Sequence, residues 1–263
     1  MPVLITAIAL LGLAVGSFLN VVIHRVPAAQ SVIRPTSRCP SCANRILARH
    51  NVPVLSWLLL RGKCAQCQAS ISVRYPVVEL TTAGLFVALA VHVAGLGRLP
   101  ALPGYLFFAA IGVALTVIDL DVRRLPNAIV LPAYPVLAAL LAIAAFAQGD
   151  PGALIRAAVG SLALLALYLA LALAHPGGLG FGDVKLAGIV GGVLAFVSYQ
   201  ALLVGAFAAF VAGGVAGLVT IASGRGTRRS AIPFGPFMIA GALLALFAGT
   251  HIADLYVRLI SPA

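Results

Sequence analysis

Gly180-Phe181-Gly182-Asp183-Val184-Lys185-Leu186 is the stretch on which the reading of this chain turns. It follows the loop Pro176-Gly177-Gly178-Leu179 and opens a long apolar run. The chain is 62% hydrophobic and holds only 6 acidic residues. A carboxylate at the mouth of an apolar segment is costly and needs a chemical reason. Gly180 and Gly182 leave the backbone bare, so another chain can approach closely. One such carboxylate directs the search to a second on the same side.

Composition sets the frame. A mean hydropathy of +1.11 with 9% charged residues excludes an ordinary soluble domain. Apolar runs able to cross a bilayer as helices are read at about 3–23, 77–96, 101–119, 127–147, 153–174, 184–198, 201–222 and 233–250, the sixth being short. The expected fold is therefore an all-α polytopic membrane protein of about eight transmembrane helices. Lipid-facing surface and packing between helices account for the apolar content.

Orientation follows from Lys and Arg. Arg25, Arg34, Arg38, Arg45, Arg49, Arg61, Lys63 and Arg74 follow the first run. Arg123 and Arg124 follow the third, Lys185 the fifth, and Arg225, Arg228 and Arg229 the seventh. The opposite loops and the C-terminal tail hold only Arg98, Arg156 and Arg258 of the 17 basic residues. This asymmetry puts both termini outside and the basic loops in the cytoplasm. It also reads the net charge of +11 as topology, with anionic headgroups as a secondary contact, and not as a nucleic-acid surface. The first run lacks a basic flank before it, so it is read as an uncleaved span and not a signal peptide. Ser17 and Asn20 share one face of it, placed for hydrogen bonds between helices.

Residues 26–76 form the one sizeable polar insert and carry all 4 cysteines, as Cys39-Pro40-Ser41-Cys42 and Cys64-Ala65-Gln66-Cys67. Two CxxC pairs on a short segment can close a tetrahedral thiolate shell around zinc. A disulfide framework is disfavoured in a reducing compartment. A complete shell leaves no open coordination position, so the metal is expected to fold the insert. Between the pairs, Val52 to Leu60 is apolar but too short to span, and Trp57 suits an interfacial position. The domain reading is thus 1–25 as first helix, 26–76 as zinc-binding insert and 77–263 as membrane core.

Glu79, the only Glu, stands just inside the second run. It is read either as a salt-bridge partner of the basic insert or as a group facing substrate. The second carboxylate sought from Asp183 appears at the end of the third run, in Ile118-Asp119-Leu120-Asp121. Asp119 belongs to the apolar run and Asp121 lies nearer the charged turn. Under the topology above, all three meet the cytoplasmic face, whereas Asp150 and Asp254 meet the other. Two carboxylates held close share a proton. The ionised one can take a proton from water while the protonated one donates to a carbonyl. That is aspartyl peptide hydrolysis. No G-x-S-x-G or H-E-x-x-H motif offers a competing centre.

These features together resemble a known family, the prepilin peptidases among the GxGD intramembrane aspartyl proteases. The resemblance is carried by GSFLNVVIHRVP at 16–27, the paired CxxC motifs, NVPVLSWLLLRGKC at 51–64, RYPVVEL at 74–80, IDLDVRRLPN at 118–127, GFGDVKL at 180–186 and IPFGPF at 232–237. It implies Asp119, ahead of Leu125-Pro126, and Asp183 of GxGD as the catalytic pair, with Asp121 as rival or helper of the first. It implies prepilin and pseudopilin substrates, cut after a Gly at the cytoplasmic face of the bacterial inner membrane. It also implies N-methylation of the new terminus with S-adenosylmethionine, an activity linked to the insert. Gly180, Gly182, Glu79, Pro233 and Pro236 are expected to border the substrate. Lys185 is read either as a charge favouring ionised Asp183 or as a snorkelling topology residue. Two other classes compete: a transporter using paired acids as a proton relay, and a membrane scaffold with a zinc module.

Overall fold

A computed structural model describes residues 2–175, 179–224 and 232–260. Pro176, Gly177 and Gly178 of the glycine loop, and Arg225, Arg228 and Arg229 of the basic set, lie outside these. Among the described residues the chain is helical, with no strand and two isolated bridges, Arg38 with Arg45 and Lys63 with Ser70. The helices are α1 Pro2–Arg25, α2 Leu55–Leu59, α3 Arg74–Gly95, α4 Leu102–Val122, α5 Asn127–Ala147, α6 Gly152–Ala174, α7 Phe181–Val197, α8 Tyr199–Ala222 and α9 Gly235–Ile260. The chain divides into two compact units, residues 1–99 with 109–114, and residues 100–108 with 115–263.

Seven helices among the described residues are long and apolar enough to cross a membrane, so the protein is a multi-pass membrane protein. The sequence predicts about eight, and the eighth is α7, whose 17 residues stand at the lower end of the about 17–25 that cross a bilayer. Val184, Leu186 to Gly191 and Val193 to Phe196 are all buried, because α5, α6, α8 and α9 pack against it. A helix apolar on every face and enclosed by protein is a core element. The last helix starts at Gly235 and runs to Ile260, ten residues past the predicted end at 250. Pro236 does not interrupt it, since the first-turn N–H that proline lacks has no acceptor within the helix.

Glycines set the closest helix approaches. A Cβ on Gly191 would strike the Gly160 carbonyl oxygen, and one on Gly160 would strike Ala195 Cβ. This joins α6 to α7 at backbone distance. On α8 and α9, a Cβ on Gly241 would stand 2.6 Å from the Gly205 carbonyl oxygen. In the other unit, Cβ atoms on Gly12 and Gly16 would stand 2.6 Å from Ala83 Cα and 2.7 Å from Glu79 Cα. Small residues four apart let α1 and α3 touch without lipid between them. The polar prediction for α1 holds here: Asn20 Nδ2 donates to the Tyr75 carbonyl at 3.2 Å, and Ser17 hydrogen-bonds Glu79.

The insert is built from one turn used twice. Cys39 N–H donates to Asn44 O at 2.9 Å and Ala43 N–H to Cys39 O at 2.9 Å. At the matching positions, Cys64 N–H donates to Ala69 O at 2.8 Å and Gln68 N–H to Cys64 O at 3.1 Å. Ile46 to Ser37 and Ile71 to Gly62 close both turns in the same way. Ala43 and Gln68 take the left-handed conformation at the same point of each, φ 57° and 60°. Between the turns, α2 is five residues long and exposes Leu55, Leu58 and Leu59. It is too short to span, and its bare leucines suit the lipid interface.

Candidate active site and metal centre

The larger unit brings three helix ends together around Leu125. Helix α4 ends at Val122, capped by Arg123 in the left-handed conformation, whose N–H donates back to the Asp119 carbonyl at 2.9 Å. Leu125 then leads through Pro126, in the extended region, into α5. Proline forces the residue before it out of the helical region, so Leu125 projects from a turn. Its side chain lies between the starts of α7 and α9. A Cβ on Gly182 would stand 2.9 Å from Leu125 Cβ, and one on Gly235 would stand 3.4 Å from Leu125 Cδ2.

Both expected acids sit at this convergence. Asp119 is 4% exposed, and its Oδ2 accepts the Gly235 N–H at 3.1 Å. Gly235 opens α9, and the free N–H groups and positive dipole end of a helix N-terminus favour a carboxylate. A Cβ on Gly235 would come within 2.8 Å of the same oxygen. Asp183, half-buried in the first turn of α7, accepts the Gly180 N–H at 3.1 Å. The two acids are linked through Leu125, whose side chain lies against Gly182, next to Asp183, and against Gly235, the donor to Asp119. Asp121, two residues on, is exposed on the outer side of α4.

The neighbouring groups are placed as follows. Lys185 Nζ donates to Asn127 Oδ1 at 2.9 Å, so its charge is held at the start of α5. Its carbonyl accepts the Tyr134 hydroxyl at 2.6 Å. Tyr168, Phe210, Phe234 and Phe237 form an aromatic cluster with ring centroids 5.4 to 6.3 Å apart. Pro233 precedes Phe234 in the non-helical lead into α9, and Pro236 lies in its first turn. Gly182 is bare because Leu125 fills the space a side chain would take. Sequence reasoning missed Gly235 as the donor to Asp119 and Leu125 as the wedge. Both lie inside motifs quoted above, but only the fold reveals which carboxylate they meet.

In the smaller unit, the sulfurs of Cys39, Cys42, Cys64 and Cys67 all lie within 4.8 Å of one another. Cys39 Sγ and Cys67 Sγ are 3.8 Å apart. Four sulfurs at a zinc–sulfur distance of about 2.3 Å sit about 3.8 Å apart in a tetrahedron, so the donor set fits a metal ion. The backbone is arranged for thiolates. The N–H groups of Cys42 and Ser41 aim at Cys39 and hold its thiol down to about 6. Those of Cys67 and Gln66 lower Cys64 in the same way.

Beside the cysteines a cavity of roughly 390 Å³ lies between the turns, α2 and the start of α3. Glu79 lines it and is 7% exposed. The salt-bridge expectation for Glu79 does not describe its partners: the carboxylate accepts the Val54 N–H at 2.7 Å and bonds Ser17, where the sequence suggested a basic residue. Val54 itself has φ 60° and ψ −51°, and Leu55 N–H closes on Pro53 O at 2.5 Å. This is a γ-turn of the rare, strained kind.

The comparisons with known proteins divide the chain similarly. Residues 10–93 match the bacterial peptidase A24 N-terminal domain, and residues 106–218 match the type IV leader peptidase family. The chain is 36% identical over 273 residues to a prepilin leader peptidase/N-methyltransferase of Stutzerimonas stutzeri, covering 94% of this chain and 92% of that protein. It is 37% identical over 280 residues to the protein of the same name from Aeromonas hydrophila, again covering 94% and 92%. With that of Bacillus subtilis it shares 32% identity over 256 residues, covering 97% and 99%. No solved structure matches. Two adjoining domain matches and full-length relatives leave one reading of the family: this chain belongs to the type IV leader peptidases.

Proposed function

We propose that this protein is a membrane-embedded aspartyl endopeptidase that removes the leader of type IV prepilins and pseudopilins, then N-methylates the new terminus. The observation that carries the peptidase reading is the convergence of Asp119 and Asp183 at the starts of α9 and α7. One carboxylate, ionised, takes a proton from a water, whose oxygen attacks the scissile carbonyl. The other, protonated, gives its proton to the carbonyl oxygen. The tetrahedral intermediate then collapses, the leaving nitrogen takes a proton, and no covalent enzyme intermediate forms. The exposed position of Asp121 favours Asp119 as first partner. Gly180, Pro233 and Pro236 border the substrate segment, and Glu79 belongs to the second activity.

The division of labour follows the chain. The insert 26–76, with a structural zinc on the four cysteines, serves methylation together with Glu79 at the start of α3, and the rest of 77–263 carries the peptidase. S-adenosylmethionine supplies a methyl group on a sulfonium, which the pilin's amine nitrogen takes as it gives up a proton. The basic asymmetry of the loops supports a site at the cytoplasmic face of the bacterial inner membrane, with both termini outside. A basic leader is drawn to a face holding acids amid anionic lipid. Co-expression with a candidate prepilin tests the reading. It predicts a product shortened by its leader and bearing one methyl group by mass spectrometry. Full-length prepilin in the presence of intact enzyme refutes it.

A further inference from the structure

The lead into α9 breaks a local rule. Phe234 stands at the N-cap of that helix, its carbonyl accepting the Phe237 N–H at 3.1 Å and the Met238 N–H at 3.2 Å. N-caps favour Ser, Thr, Asp, Asn and Gly, and most of these carry an oxygen that serves the free N–H groups. Phenylalanine offers none, and the first free N–H, that of Gly235, goes to Asp119. The ring has partners of its own. Its centroid stands 6.1 Å from that of Tyr168 on α6 and 5.4 Å from that of Phe210 on α8, the spacing of attractive aromatic pairs. Tyr168 is buried. On α8, Gly213 is bare where the ring lies: a Cβ there would stand 2.7 Å from Phe234 Cε2 and 3.1 Å from Cδ2. Phe210 and Gly213, three apart, share one face of the helix. Gly217, four further on, extends that face, and a Cβ on it would stand 3.7 Å from Ile232 Cδ1. The residues just before α9 are thus seated on α6 and α8.

The ring holds a peptide that the chemistry uses. The Phe234 carbonyl and the Gly235 N–H belong to one planar unit, so the donor to Asp119 moves with the Phe234 backbone. Pro233 and Pro236 fix φ on either side, which leaves little slack between ring and N–H. Gly235 has no side chain by which it could be held. We propose that Phe234 is a positioning residue of the peptidase: its ring, seated against Tyr168, Phe210 and Gly213, sets the Gly235 N–H against the Asp119 carboxylate. The inference rests on the peptidase reading and deepens it. It places control of Asp119 on α6 and α8, helices that carry neither acid of the pair. The ring acts through the peptide and not on substrate, so its effect falls on turnover.

The test is cleavage of purified prepilin by the full-length protein in detergent, with kcat and KM measured separately. Phe234→Leu keeps an apolar side chain but removes the ring. Gly213→Ala keeps the ring and pushes it by about 0.7 Å, from 2.7 Å out to the 3.4 Å of ordinary contact. Misplacing a reacting group by about 1 Å costs about a hundredfold. Each variant is therefore expected to lower kcat about tenfold, with KM within about twofold of the parent. Gly214→Ala, next along α8, adds a Cβ that meets nothing within 4 Å and is expected to match the parent. Gly213→Ala combined with Phe234→Leu is expected to lose about tenfold, not about a hundredfold, because without the ring the methyl has nothing to push. In a Gly235→Ala background, Phe234→Leu is expected to cost less than about threefold, since the bond it serves is already lost. A raised KM at unchanged kcat overturns the inference, because the ring would then touch substrate. So do losses that multiply in the double variant, and so does a kcat within about twofold of the parent in both single variants. A loss that disappears on cooling the assay well below each variant's unfolding transition also overturns it, because the ring would then only hold the bundle together. A parent protein that leaves prepilin full-length defeats the peptidase reading and this inference with it. A parent that cleaves beside unaffected variants defeats only the role of Phe234.

Discussion

Gly235→Ala is the most informative single change to the peptidase site. The added Cβ stands 2.8 Å from Asp119 Oδ2, where ordinary contact begins at 3.4 Å. On its other side Leu125 Cδ2 is 3.4 Å away, so the methyl cannot turn aside. The carboxylate must retreat by about 0.6 Å, and the 3.1 Å bond from Gly235 N–H stretches past the length at which a hydrogen bond holds. Misplacing a reacting group by about 1 Å costs about a hundredfold. A shift a little over half as large predicts a loss of ten- to a hundredfold in kcat/KM for prepilin cleavage. The strain costs about 1–3 kcal/mol of stability, too little to unfold a membrane bundle. The assay is cleavage of purified prepilin in detergent, with methylation of already processed pilin as an internal check of folding. Gly214→Ala serves as control, since a Cβ there meets nothing within 4 Å. Cleavage by Gly235→Ala within twofold of the parent refutes the claim that this bond sets the reactive geometry.

Other expectations follow from the packing and the metal site. Gly191→Ala drives a methyl into the Gly160 carbonyl, a backbone atom that cannot rotate away. It should lower the melting temperature markedly, by about 3 kcal/mol or more of stability, where Gly214→Ala leaves it within about 0.5 kcal/mol. Metal analysis should find one zinc per chain. Because the two turns are equivalent, Cys39→Ser and Cys64→Ser should weaken zinc retention to a similar degree, and full retention in either removes that residue as a ligand. Lys185→Met should lower cleavage by less than about tenfold, since its ammonium is held by Asn127 and the loss acts through positioning. A loss as deep as that of an Asp183 substitution would show that the charge acts on the pair.

Much of this arrangement is legible in the sequence because the chemistry forces it into few residue types. Six acids in an apolar chain make each one conspicuous, and a two-sided count of Lys and Arg separates Asp119, Asp121 and Asp183 from Asp150 and Asp254. Four cysteines in two CxxC pairs announce a metal site from spacing alone. What escapes the sequence depends on distant segments meeting. Asp119 and Asp121 are equivalent by composition, and only the turn of α4 buries one and exposes the other. Gly235 reads as part of a proline-rich helix start until its N–H is seen against Asp119. Glu79 invites a basic partner by charge, yet its partners are a backbone N–H and a serine hydroxyl. The strain at Val54 has no sequence signature, because valine is a poor residue for that conformation. Helix α7 is buried by α5, α6, α8 and α9, and an apolar run cannot say whether lipid or protein will surround it.

The central claim is that Asp119 and Asp183 act as one hydrolytic pair. Its most direct measurement is the cleavage rate of purified prepilin by Asp119→Asn and by Asp183→Asn, each shown to be folded by retained zinc. The account predicts that each loses at least about a thousandfold in rate, since general acid–base roles are worth about 10²–10⁴-fold, and that the double substitution loses scarcely more. Cleavage at the parent rate by either single variant would contradict it.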